Sequence, residues 1–254
     1  MLPFTIQLAR EAGGLLRERL ADARVESRHA HDVKLDVDRA SEALIVDAIR
    51  KAYPAHAILG EESARVAGSL EAQAYTWIVD PLDGTCNYAR GVPHFAVSIG
   101  CFKRGKPYLG VVYDPVRDEL FAGGSEWPAS LNGQPIRVST TKAMGQAVAA
   151  VGLPGARHDI KRCLALYETF ALHAAKVRSA GSAALDIAYV AAGRYDFYIE
   201  CGLYLWDIAA GLAIVKAAGG HPDYVPARKP YQVDVVCTNH HLHGQALAHY
   251  LTLA

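Results

Sequence analysis

The sequence predicts an α+β N-terminal half with a mostly antiparallel sheet, followed by an α/β C-terminal half. Two observations predict it. Two segments with helical apolar spacing precede a series of strand-like runs broken by Gly and Pro, the pattern of a meander. After about residue 142, strand-like and helix-like segments alternate, the pattern of α/β layers. The division falls at 1–142 and 143–254. No linker-like or low-complexity segment separates the halves and no internal repeat occurs. The expectation is one compact unit with its active site between the halves.

The elements follow in order. Pro3 to Ala23 carries Ile6, Ala9, Leu15, Leu16 and Leu20 at helical spacing. Asp38 to Ala52 repeats the pattern with Ala40, Leu44, Ile45, Ala48 and Ile49, and Tyr53-Pro54 stops it. Ala57 to Gly60 and Thr76 to Val79 read as strands, the second running into Asp80 and a turn at Pro81. Phe95 to Lys103, Tyr108 to Tyr113 and Glu119 to Gly123 form the meander, and Asn132-Gly133 signals a hairpin before a strand at Ile136 to Ser139. The second half reads as strands at Val148–Leu153, Lys176–Arg178, Tyr195–Glu200 and Val233–Thr238. Its helices are Lys161–Ala174, Gly181–Ala192, Asp207–Ala218 (closed by Gly219-Gly220) and Leu242–Leu251.

Bulk composition narrows the function classes. About half of the 254 residues are apolar, enough for a sizeable core, and 26 Lys plus Arg balance 26 Asp plus Glu. A neutral chain lacks the global basic footprint of a nucleic-acid or membrane-surface binder. The five cysteines are widely spaced with no C-x-x-C pair, which argues against a zinc knuckle or disulfide framework. No secretory signal pattern and no bilayer-length apolar run is present, so a soluble, cytoplasmic protein is expected.

The chemistry concentrates in Trp77-Ile-Val-Asp80-Pro-Leu-Asp83-Gly84-Thr85. An apolar strand delivers Asp80 to a cleft, and Asp83 follows three residues later. Two carboxylates so close repel unless a cation lies between them. All-oxygen ligands select Mg²⁺, Mn²⁺ or Ca²⁺ over zinc. If a helix begins at Gly84-Thr85, its free amides favour an anion; Gly84 lets a phosphate approach, and the Thr85 hydroxyl can orient water. The plain alternative is a capped turn, and an isolated D-x-x-D would be read that way. Further carboxylates tilt the balance. Glu61, in Gly60-Glu61-Glu62-Ser63, reaches the same cleft if its strand neighbours that of Asp80. Asp207 starts a helix of small residues and can serve as cap and ligand together. Asp38, after Lys34-Leu-Asp36-Val, would alone be an N-cap.

These segments together resemble the inositol monophosphatase family of metal-dependent, lithium-sensitive phosphatases. Gly60-Glu61-Glu62-Ser63, Asp80-Pro-Leu-Asp-Gly-Thr85 and Trp206-Asp207-Ile-Ala-Ala-Gly211 occur in the family's order. Asn87-Tyr88, Pro93-His94-Phe95-Ala-Val-Ser-Ile-Gly100 and Gly181-Ser-Ala-Ala-Leu-Asp186 continue the pattern. The resemblance implies a layered αβαβα sandwich, commonly a homodimer, and two to three Mg²⁺ ions with Mn²⁺ as substitute. It implies that Glu61, Asp80 and the Leu82 carbonyl hold a first ion and Asp80, Asp83 and Asp207 a second, with Glu61 helping a third. Thr85 and Asp38 would position the attacking water, and the Gly84 and Thr85 amides would bind phosphate beside Asp83. Ala183 and Glu200 match positions that contact the polyol.

The implied activity is Mg²⁺-dependent hydrolysis of a small phosphate monoester, inositol 1-phosphate first. Histidinol-phosphate phosphatase, fructose-1,6-bisphosphatase and 3′(2′),5′-bisphosphate nucleotidase stay open within the same chemistry. Glu200 suits a polyol or an amine; Cys86-Asn87-Tyr88 departs from the nucleotidase continuation. A different class of reading is a transcription-machinery partner that associates with RNA polymerase, for which no basic tail or extra domain argues. Cys86 is expected to be a small buried side chain. Arg178 faces either a substrate phosphate or a dimer partner. His240, His241, His243 and His249 are expected to be solvated, and His94 structural.

Overall fold

A computed structural model of the chain describes residues 1–22, 25–29, 32–62, 66, 68–154 and 157–253. Helix α1 (Leu2–Arg19) starts with Pro3 in its first turn, ends with Arg17 and Arg19 at the negative pole of its dipole, and buries Leu8, Ala9, Ala12 and Leu16. A hairpin of β1 (Val25–His29) and β2 (Asp32–Leu35) leads into α2 (Asp36–Ala52), which buries Val37, Ile45, Val46 and Ile49. Both helices cover one face of a seven-stranded sheet.

That sheet runs β3 (Ala57–Gly60), β4 (Tyr75–Asp83), β5 (Ala96–Lys103), β6 (Lys106–Asp114), β7 (Glu119–Gly124), β8 (Trp127–Leu131) and β9 (Gln134–Pro135) in spatial order. Only β3 and β4 pair in parallel; the rest is the expected meander. A short helix, α3 (Thr85–Ala89), follows β4. Side chains alternate across the sheet: Trp77 and Val79 face the first helix pair, while Ile78 faces the opposite layer.

The second sheet is built from β10 (Val148–Val151), β11 (Lys176–Arg178), β12 (Phe197–Tyr204), β13 (His221–Pro226) and β14 (Gln232–Thr238), in the order β11-β10-β12-β14-β13. Helices α4 (Arg157–His173) and α7 (His243–Leu253) cover its outer face around Phe170, Phe197 and Tyr250. Between the sheets lie α5 (Ala183–Ala191) and α6 (Leu205–Ala217), giving five layers, αβαβα. Buried against both sheets, α6 is apolar nearly all round. It lies so close to β5 and β6 that a Cβ on Gly110 would fall 2.1 Å from the Ala210 carbonyl oxygen, and one on Gly100 2.9 Å from Ala209.

Several expectations need correction. Asn132 and Gly133 do form the hairpin turn, both with positive φ (50° and 78°), but it joins β8 to the two-residue β9. Ile136–Ser139 is no strand: the Ile136 amide bonds to the Ala129 carbonyl, and that of Val138 to Ala218 at the end of α6. β8 and β13 went unpredicted because each carries proline and lacks an apolar run, as edge-like strands do. Ala23, the expected end of the first helix, lies outside the described residues, and α1 itself closes at Arg19.

Candidate active site

The site begins with an irregularity in β4. In a regular strand, residues three apart point to opposite faces. Here Asp80 pairs with Ser98 and Asp83 with Ala96, so β4 spends one residue more than β5 between the two pairs. This bulge brings both carboxylates to one face. The expected turn at Pro81 is therefore a bulge in a strand that continues to Asp83. The bulge is held from both sides. Asp80 Oδ1 accepts from the Leu82 amide (3.0 Å), Ser41 donates to the Pro81 carbonyl (3.1 Å), and Thr85 Oγ1 donates to the Leu82 carbonyl (3.0 Å).

Asp207 arrives from α6. It is not the cap of that helix but its third residue, and its Oδ2 accepts from the Tyr204 amide at 2.7 Å. Asp38 repeats the arrangement on α2, where its Oδ2 accepts from the Leu35 amide at 2.7 Å. The spacing predicts helix starts at Asp38 and Asp207, with each able to cap; each helix in fact begins two residues earlier. Asp38 is buried at the base of α2, in the turn that carries Ser41 to the bulge.

Carboxylate oxygens of Asp80, Asp83 and Asp207 all lie within 4.8 Å of one another. Burial, then the charges of Glu61, Asp83 and Asp207, pushes the Asp80 carboxyl well above its ordinary range. Burial raises Asp83 to about 6 against the opposing hydrogen bonds from Ser182 and Ala184. Burial and the Asp83 charge raise Asp207 to about 8. Three mutually opposed buried carboxylates, all oxygen donors, fit a hard divalent cation. Glu61 follows β3, whose parallel register sets Gly60 beside Val79, and its charge acts on Asp80, but its carboxylate is not one of the three within 4.8 Å. Glu62, its neighbour, donates its amide to Glu42 Oε2 (2.8 Å). Ser63, the last residue of that motif, lies outside the described residues.

Gly84 precedes α3 at φ +86°, and a side chain there would press on the carbonyl oxygens of His94 and Gly181, at 3.0 and 3.2 Å. A cavity of about 190 Å³ opens beside the carboxylates, and Asp83, Ala183, Glu200 and Asp207 line it. Asp80, Leu82, Gly84, Thr85, Asp38 and Glu61 do not line this cavity. Glu200 is buried, and burial pushes its carboxyl well upward, although the Tyr198 hydroxyl donates to it. A second bulge lies between Glu200 and Leu203 of β12.

Sequence reasoning gave no role to several other cavity residues, among them Ser182, Asp186, Tyr198 and Gly152. Ser182 caps α5, accepting from the Leu185 amide (3.4 Å), and donates to Asp83 Oδ2, which also accepts from the Ala184 amide (3.0 Å). Asp186 faces His94 across 3.6 Å. The Gly181-to-Asp186 segment carried the signal for two of these; nothing local distinguishes Tyr198 or Gly152.

Other side chains sit outside the cavity. Cys86 is exposed, contrary to expectation, because α3 turns it outward, while the other four cysteines are buried. Arg178 is exposed on the edge strand β11 and bonds the carbonyl of Val177 (3.0 Å). His240 and His241 are exposed, and His243 approaches Asp223 (3.1 Å).

The sequence model of the inositol monophosphatase family matches residues 1–252. The chain belongs to the inositol monophosphatase family. It is 46% identical over 226 residues to the Nus factor SuhB of Pseudomonas aeruginosa, covering 87% of this chain and 83% of that protein. With the Nus factor SuhB of Escherichia coli K12 it shares 42% identity over 224 residues, with the same coverage of 87% and 83%. Among solved structures, an inositol monophosphatase from Anabaena superposes with a TM-score of 0.85 at 34% identity, over 100% of this chain and 96% of the other. The Thermotoga maritima inositol monophosphatase gives 0.87 at 31% identity, over 99% and 97%. Membership of this magnesium-dependent family supports a phosphatase, and an acidic cluster with the chemistry to hold a metal ion is in place. Among the described residues, no helix is long and apolar enough to cross a membrane.

Proposed function

We propose that this inositol monophosphatase family member hydrolyses a small phosphate monoester carrying free hydroxyls, inositol 1-phosphate being the first candidate. The observation that carries the reading is the trio Asp80, Asp83 and Asp207, its oxygens within 4.8 Å, two of whose members, Asp83 and Asp207, line a cavity walled by Glu200. In this reading Asp80, Asp83, Asp207, Glu61 and the Leu82 carbonyl hold two to three Mg²⁺ ions, with Mn²⁺ as a substitute. Bound there, magnesium would neutralise phosphoryl oxygens and acidify water.

The chain's own residues do the rest. The Thr85 hydroxyl, tied to the Leu82 carbonyl, orients the attacking water with Asp38. Gly84 and Thr85 present backbone amides to the phosphate. Ala183 leaves room for the alcohol, and Glu200 accepts a hydrogen bond from one of its hydroxyls. About 190 Å³ is small beside a drug-sized pocket, and no Lys or Arg lines it among the described residues. Both facts favour a polyol monophosphate over a bisphosphorylated sugar or nucleotide, and Glu200 keeps an amine-bearing ester such as histidinol phosphate in contention. We further propose one compact functional unit of residues 1–142 and 143–254, lithium sensitivity, a homodimeric state and a cytoplasmic setting.

A panel of phosphate esters assayed with and without Mg²⁺, and with Li⁺ added, tests the reading. Turnover that requires Mg²⁺, is greatest on inositol 1-phosphate, and is lost in Asp80→Asn and Asp83→Asn is the expected result. Near-normal activity in both variants overturns it.

Two relatives carry the name Nus factor SuhB, which favours a second reading in which this chain associates with the transcription machinery. Pull-down of RNA polymerase by wild type and Asp83→Asn separates the two. Capture unaffected by the substitution, with negligible turnover on every ester, supports the partner role.

A further inference from the structure

We infer that Tyr198 is a positioning residue for Glu200, and that its contact with Glu200 and Gly152 sets the preference for esters bearing a free hydroxyl. The inference rests on the phosphatase reading and deepens it. Tyr198 and Glu200 are two residues apart on β12, so their side chains leave the same face of the strand. Both are buried, at 0% and 6% exposure, and both line the cavity. The Tyr198 hydroxyl donates to Glu200 Oε2. One carboxylate oxygen is thereby fixed by the protein, and Oε1 is left to meet a substrate hydroxyl.

Gly152 closes the arrangement from the neighbouring strand. Its amide bonds the Ile199 carbonyl (3.1 Å), just beyond the end of β10. A Cβ at Gly152 would lie 1.6 Å from Glu200 Oε2 and 2.8 Å from the Tyr198 hydroxyl oxygen. The space a side chain would fill is occupied by the carboxylate and its donor. Tyrosine is an expensive choice for a wholly buried position unless its hydroxyl has a partner, and here the partner is the residue that reads the substrate. A phenylalanine would fill the same volume and leave Oε2 short of its donor, free to swing toward the cavity.

The test compares two esters on the Mg²⁺-loaded enzyme: inositol 1-phosphate, rich in hydroxyls, and p-nitrophenyl phosphate, which has none. Tyr198→Phe is expected to lower the ratio of kcat/KM for inositol 1-phosphate to that for p-nitrophenyl phosphate by about tenfold, with the loss in KM, as befits one hydrogen bond to a charged group. Gly152→Ala, which pushes the carboxylate aside by a different route, is expected to lower the same ratio. In Glu200→Gln, adding Tyr198→Phe is expected to change the ratio little, because the two residues act as one unit. Equal losses on both esters, or an unchanged ratio in Tyr198→Phe, overturn the inference while leaving the phosphatase reading intact. Wild type inactive on every ester overturns the phosphatase reading itself, and the inference with it.

Discussion

Ser182 and Asp83 join the two halves of the site: the serine hydroxyl, at the N-terminus of α5, donates to Asp83 Oδ2 on the bulged end of β4. The Ala184 amide shares that oxygen at 3.0 Å. Asp83 is thus oriented by a helix start, and its other oxygen is left for the carboxylate cluster. Ser182→Ala is expected to raise the Mg²⁺ concentration for half-maximal activity severalfold and to cost about 1 kcal/mol of stability through the lost cap. Magnesium titration of turnover and urea unfolding check the two effects separately.

Removing divalent cations makes stability depend on pH. Asp83, at about 6, and Asp207, at about 8, titrate above ordinary aspartates in the folded chain. The unfolded chain loses these protons near pH 4, so between there and the folded values it binds fewer protons than the native state. Stability is therefore fully present below about pH 4 for these two groups and is lost as pH rises from there, by about 6 for Asp83 and about 8 for Asp207. In EDTA the melting temperature is expected to drop by several degrees across that window, and saturating Mg²⁺ to cancel the drop. Thermal melts with and without EDTA from pH 5 to 9 measure it; equal slopes refute it.

Neutralising one carboxylate should separate stability from activity. Asp207→Asn keeps an acceptor for the Tyr204 amide while removing a buried charge from the trio. In EDTA at pH 8 this variant is expected to melt at or above the wild-type temperature, yet to gain little from Mg²⁺ and to lose turnover by at least about a hundredfold. A melt below wild type in EDTA contradicts this account of the cluster.

Gly110 tests how the site depends on packing away from it. A methyl at Gly110 would meet the Ala210 carbonyl oxygen at 2.1 Å, and Ala210 lies one turn beyond Asp207 on α6. Gly110→Ala is expected to cost about 2–3 kcal/mol by overpacking and to raise the Mg²⁺ requirement, because the shifted helix carries Asp207 with it. Gly133→Ala is the contrasting control: no atom stands within 4 Å of its Cβ, and its cost is confined to a turn with φ +78°.

Much of this was legible in the sequence where local pattern and chemistry coincide. The strand before Asp80, the Asn132-Gly133 turn and the alternation after residue 142 are all local signals, and all match the described structure. The bulge at Pro81 was not legible as such, since a turn and a bulge use the same proline. Asp38 and Asp207 were misplaced by two residues because an aspartate at the third helical position and one at the cap serve the same amides. Tyr198 was out of reach: on β12 it reads as one more apolar strand residue, and only the fold brings Gly152 against it. Cys86 went wrong for want of the direction in which α3 faces.

The sandwiching of α6 between the sheets has a consequence for biosynthesis. A chain leaving the ribosome completes β4 and the meander long before Leu205–Ala217 emerges. Until then the inner face of the first sheet, with Ile78, Phe102, Val112 and Phe121, has no cover from the helix that finally packs on it. The nascent intermediate carries an apolar surface that invites chaperones or self-association, and it lacks one of the three clustered aspartates. Truncations ending before Asp207 should therefore be both aggregation-prone and unresponsive to magnesium, so that the acidic cluster assembles only once α6 has emerged.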